Sequence, residues 1–282
     1  MTHPPRVSLL LEARGRYCAI VASQEDIDRQ IQAYYGGLDW DEGARLTSRS
    51  AQGRLEFERT QELIAERIPA GSRIADVGGA TGVHAAALAA AGHHVRLLDP
   101  VIEQVDRART FGTFEALVGD ARGLPFEDGS LDVVLLLGPL YHLAERDERL
   151  RVLHEAIRVT RPGGWVFAAA IPRLARLAAI TVGADLPRGW EDLIGRGFAP
   201  SGGRFPGGHF HTGAELAAEL SESGLLQVEV VGVEGPAGLA LEHLTEIDPE
   251  LYSAALTMAR AVAGQRGVQD LSNHLLAAGR RP

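Results

Sequence analysis

The stretch Ile74-Ala-Asp-Val-Gly-Gly-Ala-Thr-Gly82 decides the fold of this chain of 282 residues. Its apolar beginning predicts a buried strand, its glycines predict a turn, and the alanine-rich segment that follows predicts a helix. The segment Val95-Arg-Leu-Leu-Asp99-Pro100 then predicts a second strand that ends in a carboxylate. This order is typical of a nucleotide-binding βαβ unit, in which glycines let the backbone approach the ligand and an acidic side chain binds ribose hydroxyls.

The composition restricts the functional classes. Hydrophobic residues make up 45% of the chain, which is enough for a packed core. The 28 permanently cationic side chains are all arginine and stand against 37 acidic ones, which gives a formal net charge of −9. A surface of this sign repels phosphates, so we expect no nucleic-acid partner. The one cysteine, Cys18, excludes an internal disulfide and a zinc–thiolate centre.

No segment approaches the roughly 20 apolar residues that are needed to span a bilayer. The run Leu9-Leu10-Leu11 is too short for the apolar part of a secretion signal, and Glu12 and two arginines follow it closely. We therefore expect a cytoplasmic protein that has no membrane segment.

Strands alternate with helices along the middle of the chain, which predicts an α/β fold. The runs Val133 to Leu137 and Val166 to Ala170 are continuously apolar, as in strands that are buried on both faces of a parallel sheet. We therefore expect a doubly wound, mostly parallel sheet of seven strands. The predicted strands span residues 73–77, 94–98, 115–118, 131–137, 164–170, 225–232 and 274–279.

Two units are expected. Residues 1–70 show helical periodicity from Gln24 onward and predict an N-terminal helical lid, and residues 71–282 predict the nucleotide-binding domain. Helical insertions near 172–212 and 237–265 interrupt the strand pattern, and we expect them to cap the ligand pocket.

The glycine pattern identifies the class of nucleotide. A dinucleotide fingerprint requires glycine at its first, third and sixth positions. Counted from Gly78, the third position is Ala80 and the sixth is Val83, so the fingerprint fails and a nicotinamide-dependent oxidoreductase is disfavoured. The pattern that fits is Asp-x-Gly-x-x-x-Gly, which runs from Asp76 through Gly78 to Gly82.

This pattern resembles the first motif of the class I S-adenosylmethionine-dependent methyltransferases, in particular bacterial enzymes that act on small molecules, with Ala80 at the usual middle glycine. Asp99-Pro100, Gly119-Asp120-Ala121 and Arg161-Pro162-Gly163-Gly164 follow in the order of the family's later motifs. The resemblance covers about residues 72–170. It implies a Rossmann-like sheet whose last strand is antiparallel, and S-adenosylmethionine as the cofactor.

The resemblance also implies roles for individual residues. The glycine turn admits the methionine part of the cofactor, and Asp99 accepts hydrogen bonds from both ribose hydroxyls. Asp120 accepts from the adenine amino group, and the Ala121 N–H donates to the adenine ring. The residues expected to bind the cofactor are Tyr35, Arg59, Gly78, Gly79, Ala80, Gly82, Asp99, Pro100, Asp120, Ala121 and Leu137.

The sulfonium and the carboxylate of the cofactor need their own partners. Leu137 is expected to bring a carbonyl oxygen near the sulfonium. A hydroxyl from Tyr35 and one arginine, Arg59 or Arg45, are expected to bind the methionine carboxylate, because an acidic protein still requires a local cation there. His84 is a further candidate for this carboxylate.

The segment Leu137-Gly138-Pro139-Leu140-Tyr141-His142-Leu143 lies where acceptor and sulfonium would meet. His142 is the candidate catalytic base for a protonated acceptor; alternatively, it only hydrogen-bonds the cofactor or a backbone carbonyl. Tyr141, His209 and His211 are expected to line the acceptor pocket. We expect no metal on the last two, because no carboxylate or third histidine at a suitable spacing accompanies them.

These observations favour methyl transfer to a small organic acceptor by in-line displacement. Whether oxygen, nitrogen or carbon is methylated stays open, as does a homodimeric state. Two alternatives remain: a non-catalytic regulatory protein that keeps the cofactor pocket, and an RNA methyltransferase, for which a basic stripe or an appended binding module would be expected.

Overall fold

The structure, a computed structural model, describes residues 23–37, 42–182, 190–199, 207–242, 244 and 248–282. Its strands are β1 (Arg73–Val77), β2 (His94–Asp99), β3 (Glu115–Val118), β4 (Leu131–Leu136), β5 (Thr160–Ala170), β6 (Phe198–Ala199), β7 (Gly208–His209), β8 (Leu226–Gly232) and β9 (Leu275–Arg280). Its α-helices are α1 (Gln24–Tyr35), α2 (Glu42–Ala44), α3 (Ala51–Ala65), α4 (Val83–Ala90), α5 (Ile102–Arg109), α6 (Arg146–Val159), α7 (Arg173–Val182), α8 (Trp190–Arg196), α9 (Gly213–Glu222), α10 (Gly238–Glu242) and α11 (Pro249–Val262). A π-helical segment covers Arg45–Arg49, and 3₁₀ turns cover Pro139–His142, Gly235–Ala237 and Gln269–Leu271.

Seven strands form one sheet in the order β3-β2-β1-β4-β5-β9-β8. The five strands from β3 to β5 are parallel, and β9 is antiparallel to both β5 and β8. The predicted doubly wound α/β fold with an antiparallel last strand is confirmed. A separate antiparallel pair, β6 and β7, lies within the insertion that was expected near 172–212.

Helices cover both faces of the sheet because its central strands are apolar on both sides. Along β4, Val133 and Leu135 belong to one core cluster, which also contains side chains of α3, α4 and α5. Val134 and Leu136 belong to the other, with side chains of α6 and α9. The uninterrupted apolar run in the sequence thus reflects a strand whose side chains alternate between two cores.

The structure differs from the sequence-based boundaries at β5. The sequence predicts a turn at Arg161-Pro-Gly-Gly164, but β5 begins at Thr160 and runs through this motif. The pairing register with β4 shifts at the same point. Gly163 has a φ of +73°. Glycine adopts this left-handed conformation at a lower conformational free energy than residues that carry a Cβ. The motif therefore builds an irregular start of β5, which begins four residues before the predicted strand at 164–170.

Parts of the predicted lid and caps lie outside the described residues, which exclude 1–22, 38–41, 183–189, 200–206, 243 and 245–247. The division of the chain into a lid and a catalytic domain stays a prediction. Among the helices that are described, none combines the length and the apolar character that crossing a bilayer would require.

The turn between β1 and α4 is held by close packing. Gly82 caps the N-terminus of α4 with a φ of +83°. A Cβ added at this position would lie 2.6 Å from Cζ of Phe114. Both the backbone conformation and the neighbouring ring therefore require glycine.

We expect Gly82→Ala to lower the free energy of unfolding by about 2 kcal/mol or more, because a left-handed conformation and overpacking are combined. Gly92→Ala is the matched control, since Gly92 has a φ of +90° but nothing within 4 Å of an added Cβ; it should cost only about 1 kcal/mol. Urea denaturation of both variants measures the difference. Equal losses would contradict the packing role of Phe114.

Candidate cofactor and acceptor site

One cleft lies at the carboxyl edge of the parallel strands, where open α/β sheets bind ligands. It encloses about 1390 Å³ of space, including its open mouth. Most residues that the sequence assigns to the site line this cleft. They are Tyr35, Gly78, Gly79, Ala80, Asp99, Pro100, Asp120, Ala121, Leu137, Tyr141 and His142.

The glycine turn after β1 brings bare backbone to the cleft. Gly78 has a φ of +74°, and a Cβ added there would lie 2.9 Å from Cδ of Pro139. At Gly79, an added Cβ would lie 2.7 Å from Oδ2 of Asp76. Ala80 adopts a φ of +46°, a left-handed conformation that glycine adopts more readily than alanine. The backbone is therefore left-handed at both Gly78 and Ala80 in this turn.

Asp99 ends β2 directly opposite this turn. Its Oδ2 accepts a hydrogen bond from the Ala80 N–H at 2.9 Å, and its Oδ1 accepts from the Val101 N–H at 2.9 Å. Burial raises the pKa of Asp99 to about 6, although these two N–H groups lower it. Each carboxylate oxygen can accept more than one hydrogen bond, so the fixed side chain can still bind ribose hydroxyls.

Asp76 is a candidate cofactor-binding residue for which the sequence alone predicted no contact. Its side chain is 1% exposed, and neither oxygen has a hydrogen-bond partner among the residues that the structure describes. Burial, and then the charge of Asp99, raises the pKa of Asp76 to about 7, although the nearby Ala85 backbone N–H lowers it. A buried carboxylate with so little hydrogen bonding is costly. The ammonium group of S-adenosylmethionine would supply the missing donor, so the residues present fit this cofactor.

Asp120 lies in the cleft but already has a strong partner. Its Oδ1 accepts from the backbone N–H and from Nε–H of Arg122, both at 2.8 Å. Burial alone would raise the pKa of Asp120, but hydrogen bonds from Arg122 outweigh it and hold this pKa below its usual value. Arg122 also donates to Asp28 of α1 at 2.8 Å. The adenine contact of Asp120 stays a prediction.

Helix α1 crosses the cleft and is attached to it by polar contacts. Gln24 donates to the His142 carbonyl and accepts from the Ala144 N–H, both at 3.1 Å. Gln32 donates to the Pro100 carbonyl at 2.9 Å. The sequence did not indicate these anchors, because glutamines on a helix surface usually face solvent.

His142 lies in the cleft, but its surroundings do not suit the catalytic role expected of it. Its Nε2 is 3.2 Å from the Tyr35 hydroxyl. Burial lowers the pKa of His142 to about 3, so the ring is neutral and a weak proton acceptor at neutral pH. The low pKa therefore argues against His142 as the catalytic base, and the Tyr35 hydroxyl is a different contact from the cofactor or backbone carbonyl that the sequence offered as its alternative partner.

Two of the predicted cofactor residues do not line the cleft. Arg59 is 4% exposed and pairs with Glu62 of its own helix. Arg45, the alternative arginine, does line the cleft, and its guanidinium donates to both carboxylate oxygens of Glu56, at 2.7 and 2.9 Å. Gly82 lies behind the turn against Phe114, where it serves packing. The assignments of Arg59 and Gly82 to cofactor contact are corrected accordingly.

His209 and His211 do not line the cleft either. His211 is fully buried, and its Nε2 lies 3.2 Å from Oε2 of Glu219. The sequence suggested that no carboxylate accompanies these two histidines. This inference is wrong, because a carboxylate oxygen of Glu219 lies within 4.8 Å of a ring nitrogen of each histidine. Arg149 donates to Glu219 at 2.7 Å and to the Leu143 carbonyl at 3.0 Å. The group therefore braces the loop behind the cleft, and the pocket assignment is corrected.

The far end of the cleft contains a histidine that the sequence did not single out. His274 precedes β9, and its Nδ1 lies 2.6 Å from Oε1 of Glu234 and 3.5 Å from Oε2 of Glu56. Burial by itself lowers the pKa of His274, but the charges of Glu56 and Glu234 outweigh it and raise the value to about 9. Apolar side chains of Ala169, Val233 and Leu276 line the same end.

Comparison with known proteins finds methyltransferases among the similar sequences and structures. Residues 75–168 match the family described as "Methyltransferase domain". The chain is 28% identical over 208 residues to the "Ubiquinone biosynthesis O-methyltransferase" of Bordetella avium (strain 197N), which covers 69% of this chain and 78% of that protein. It is 34% identical over 108 residues to the human "Probable tRNA methyltransferase 9B", which covers 38% of this chain but only 23% of that protein.

Among solved structures, a SAM-dependent methyltransferase from Thermotoga maritima superposes with a TM-score of 0.59. The match covers 91% of this chain and 98% of that one at 18% identity. At this identity the likeness supports the fold, and the chemistry of the cleft depends on the residues described above.

Asp99→Ala should weaken S-adenosylmethionine binding by about tenfold or more, since two hydrogen bonds to a charged acceptor are lost. Isothermal titration calorimetry measures the affinity. Asp106→Ala, which removes an exposed carboxylate paired with Arg109 on α5, is the control and should leave it unchanged. Unchanged affinity in the Asp99 variant would contradict the ribose assignment.

The affinity for S-adenosylmethionine should also depend on pH through Asp76. Because the pKa of this buried carboxyl is raised to about 7, the group is protonated below that pH and must lose its proton to bind an ammonium ion. Affinity should therefore rise with pH from 5.5 and level off above about 7. In Asp76→Asn the affinity at high pH should be lower than in the wild type. The increase of affinity with pH should also be smaller, because only Asp99, whose pKa is about 6, would still contribute to it. A wild-type affinity independent of pH would refute this role.

Proposed function

We propose that this chain, a class I S-adenosylmethionine-dependent methyltransferase, transfers the cofactor's methyl group to a small organic acceptor by in-line displacement. The observation that carries the proposal is that one cleft has two chemically different ends. One end has the glycine turn, Asp76 and Asp99; the other has an apolar lining and the His274 pair.

The cofactor supplies a methyl group on a sulfonium, which leaves as a neutral thioether, so the protein's task is alignment and exclusion of water. Asp99 and Asp76 would hold the ribose and the ammonium group. The backbone after β4, at Leu137 and Gly138, lies between the two ends of the cleft. Helix α1 closes the mouth through Gln24 and Gln32, and we propose that it acts as a lid.

The acceptor end favours a compact and largely apolar molecule. Its walls include Leu46, Ala169, Val233 and Leu276, and the polar groups nearby belong to a compact cluster around His274. The Bordetella avium relative is named for O-methylation in ubiquinone biosynthesis, which supports a phenol-like ring as the acceptor class. We therefore propose transfer to a hydroxyl oxygen on such a ring.

Transfer to RNA is the second candidate, because the human relative is named as a probable tRNA methyltransferase. That match is confined to 38% of this chain, and the net charge of −9 opposes an RNA partner. A regulatory protein that binds the cofactor without turnover is the third.

Methyl-labelled S-adenosylmethionine separates these candidates. The protein is incubated with a panel of phenols and catechols, with a small-molecule cell extract, and with bulk tRNA. We expect label in a phenolic product, and none in tRNA, with Asp99→Ala losing about tenfold or more of the rate at limiting cofactor. Label in tRNA would replace the proposal with the second candidate, and cofactor binding without any labelled product would replace it with the third.

A further inference from the structure

We propose that His274, held in place by Glu234, is the proton acceptor for the hydroxyl of the methyl acceptor. The inference rests on the proposed function and adds a catalytic residue to it. In the step, the acceptor oxygen forms a bond to the methyl carbon as the carbon–sulfur bond breaks and its electron pair returns to sulfur. The hydroxyl proton passes to Nε2 of His274 and is later released to water.

Glu234 fixes the orientation of the ring. This carboxylate is fully buried and accepts hydrogen bonds from Nδ1 of His274 at 2.6 Å, the His274 backbone N–H at 2.9 Å, the Ser272 hydroxyl at 2.7 Å and the Gln52 amide at 2.9 Å. Four donors around one buried carboxylate hold it in a fixed position. Nδ1 of the ring is therefore occupied by its hydrogen bond to Glu234.

The other nitrogen is available for chemistry. Nε2 of His274 hydrogen-bonds none of the residues that the structure describes, and it is not sealed from solvent. The residue itself lines the cleft. A histidine with Nδ1 bound to a carboxylate and Nε2 facing a ligand cavity has the arrangement of a general base with its orienting partner.

The sheet topology places His274 at the edge of the sheet where the segment after β4 also lies. His274 immediately precedes β9, and β9 pairs with β5, which pairs with β4. Leu275 lies opposite Ala170, at the end of β5, so His274 is at the same edge as the segment after β4. Two strand spacings separate the ends of β4 and β9 by about 10 Å, a span that an acceptor ring and the transferring methyl can bridge.

Charged groups from three other elements face the pair. Glu56 of α3 lies 3.5 Å from Nδ1, and Arg45 of the π-helical segment neutralises Glu56 through two hydrogen bonds. His84 of α4 is also near, but burial lowers its pKa to about 4 and it contacts the Gln61 amide at 2.8 Å. The net effect on His274 is a carboxylate excess, which favours the imidazolium. Nε2 therefore accepts the hydroxyl proton only in the neutral form of the ring, whose fraction grows as the pH rises toward about 9.

The carboxylate excess brings the pKa of His274 close to that of a phenol. The charges of Glu56 and Glu234 outweigh burial and raise the pKa of His274 to about 9. Proton transfer from a phenol of pKa about 10 to such a ring is unfavourable by only about tenfold, against roughly 3000-fold for an ordinary histidine of pKa about 6.5. His142, whose pKa burial lowers to about 3, is a far weaker proton acceptor in the same cleft.

The first test is the titration of His274 by NMR with carbon-13-labelled histidine, in the presence of S-adenosylhomocysteine. His274→Asn assigns the signal and keeps a donor for Glu234. We expect a pKa near 9 in the wild type, and a decrease of about 1–3 units in Glu234→Gln. Glu56→Gln provides the same test without altering the buried acceptor, and a decrease is again expected. An ordinary pKa that neither substitution changes would overturn the inference.

The second test uses 4-nitrophenol as a probe, because its phenolate is detected by its visible absorbance. With S-adenosylhomocysteine bound, the wild type should lower the apparent pKa of the bound probe through the Nε2–H of His274, and His274→Asn should abolish this decrease. His154→Asn, which replaces an exposed histidine on α6, is the matched control and should retain it. A decrease that persists in His274→Asn would contradict the role of Nε2.

The third test measures the rate of methyl transfer. With any phenol that the wild type methylates, kcat/KM should rise with pH through about 9, fall about 100-fold or more in His274→Asn, and shift its rise to lower pH in Glu56→Gln. Wild-type rates in His274→Asn, with S-adenosylhomocysteine still bound, would refute this inference alone. Failure of the wild type to bind S-adenosylhomocysteine would instead refute the proposed function.

Discussion

The cofactor end of the cleft depends on two buried carboxylates at the ends of adjacent parallel strands. Asp76 and Asp99 lie close to the glycine turn; burial raises the pKa of both carboxyls, and the charge of Asp99 raises that of Asp76 further. A rise of the Asp76 pKa from 3.8 to about 7 corresponds to roughly 4 kcal/mol that the free protein loses as pH rises through this range. A cationic ligand removes this cost. The site is therefore organised for a positively charged cofactor before one binds.

Helix α1 and the loop behind the cleft are held in different ways. Helix α1 buries one apolar side chain, Ile27, and contacts the cleft mainly through Gln24, Gln32 and the Asp28–Arg122 pair. By contrast, the loop after β4 is fixed by Arg149, which is almost fully buried. Polar, half-exposed contacts break at lower cost than buried ones, so α1 is the element best suited to open for ligand entry.

The sequence predicted the features that depend on local pattern. The two-sided apolar runs predicted the sheet, and the glycine turn with Asp99 predicted the cofactor edge, because each signal lies within a short segment. Arg59, His209 and His211 were misplaced because their neighbours come from distant parts of the chain. Similarly, Glu234 is 40 residues from His274, and neither residue lies in a recognisable motif. Such a pair becomes visible only when β8 and β9 are placed together.

Two histidines in one cleft show how the fold sets their chemistry. Burial acts on both in the same direction, but at His274 the charges of Glu56 and Glu234 outweigh it, so the pKa of His274 rises to about 9 while that of His142 falls to about 3. The sulfonium would lie between them, near the backbone after β4. A proton taken up at His274 is paired with Glu234 and kept away from the sulfonium, whereas burial opposes a proton at His142. The arrangement therefore favours proton removal at the acceptor end of the cleft.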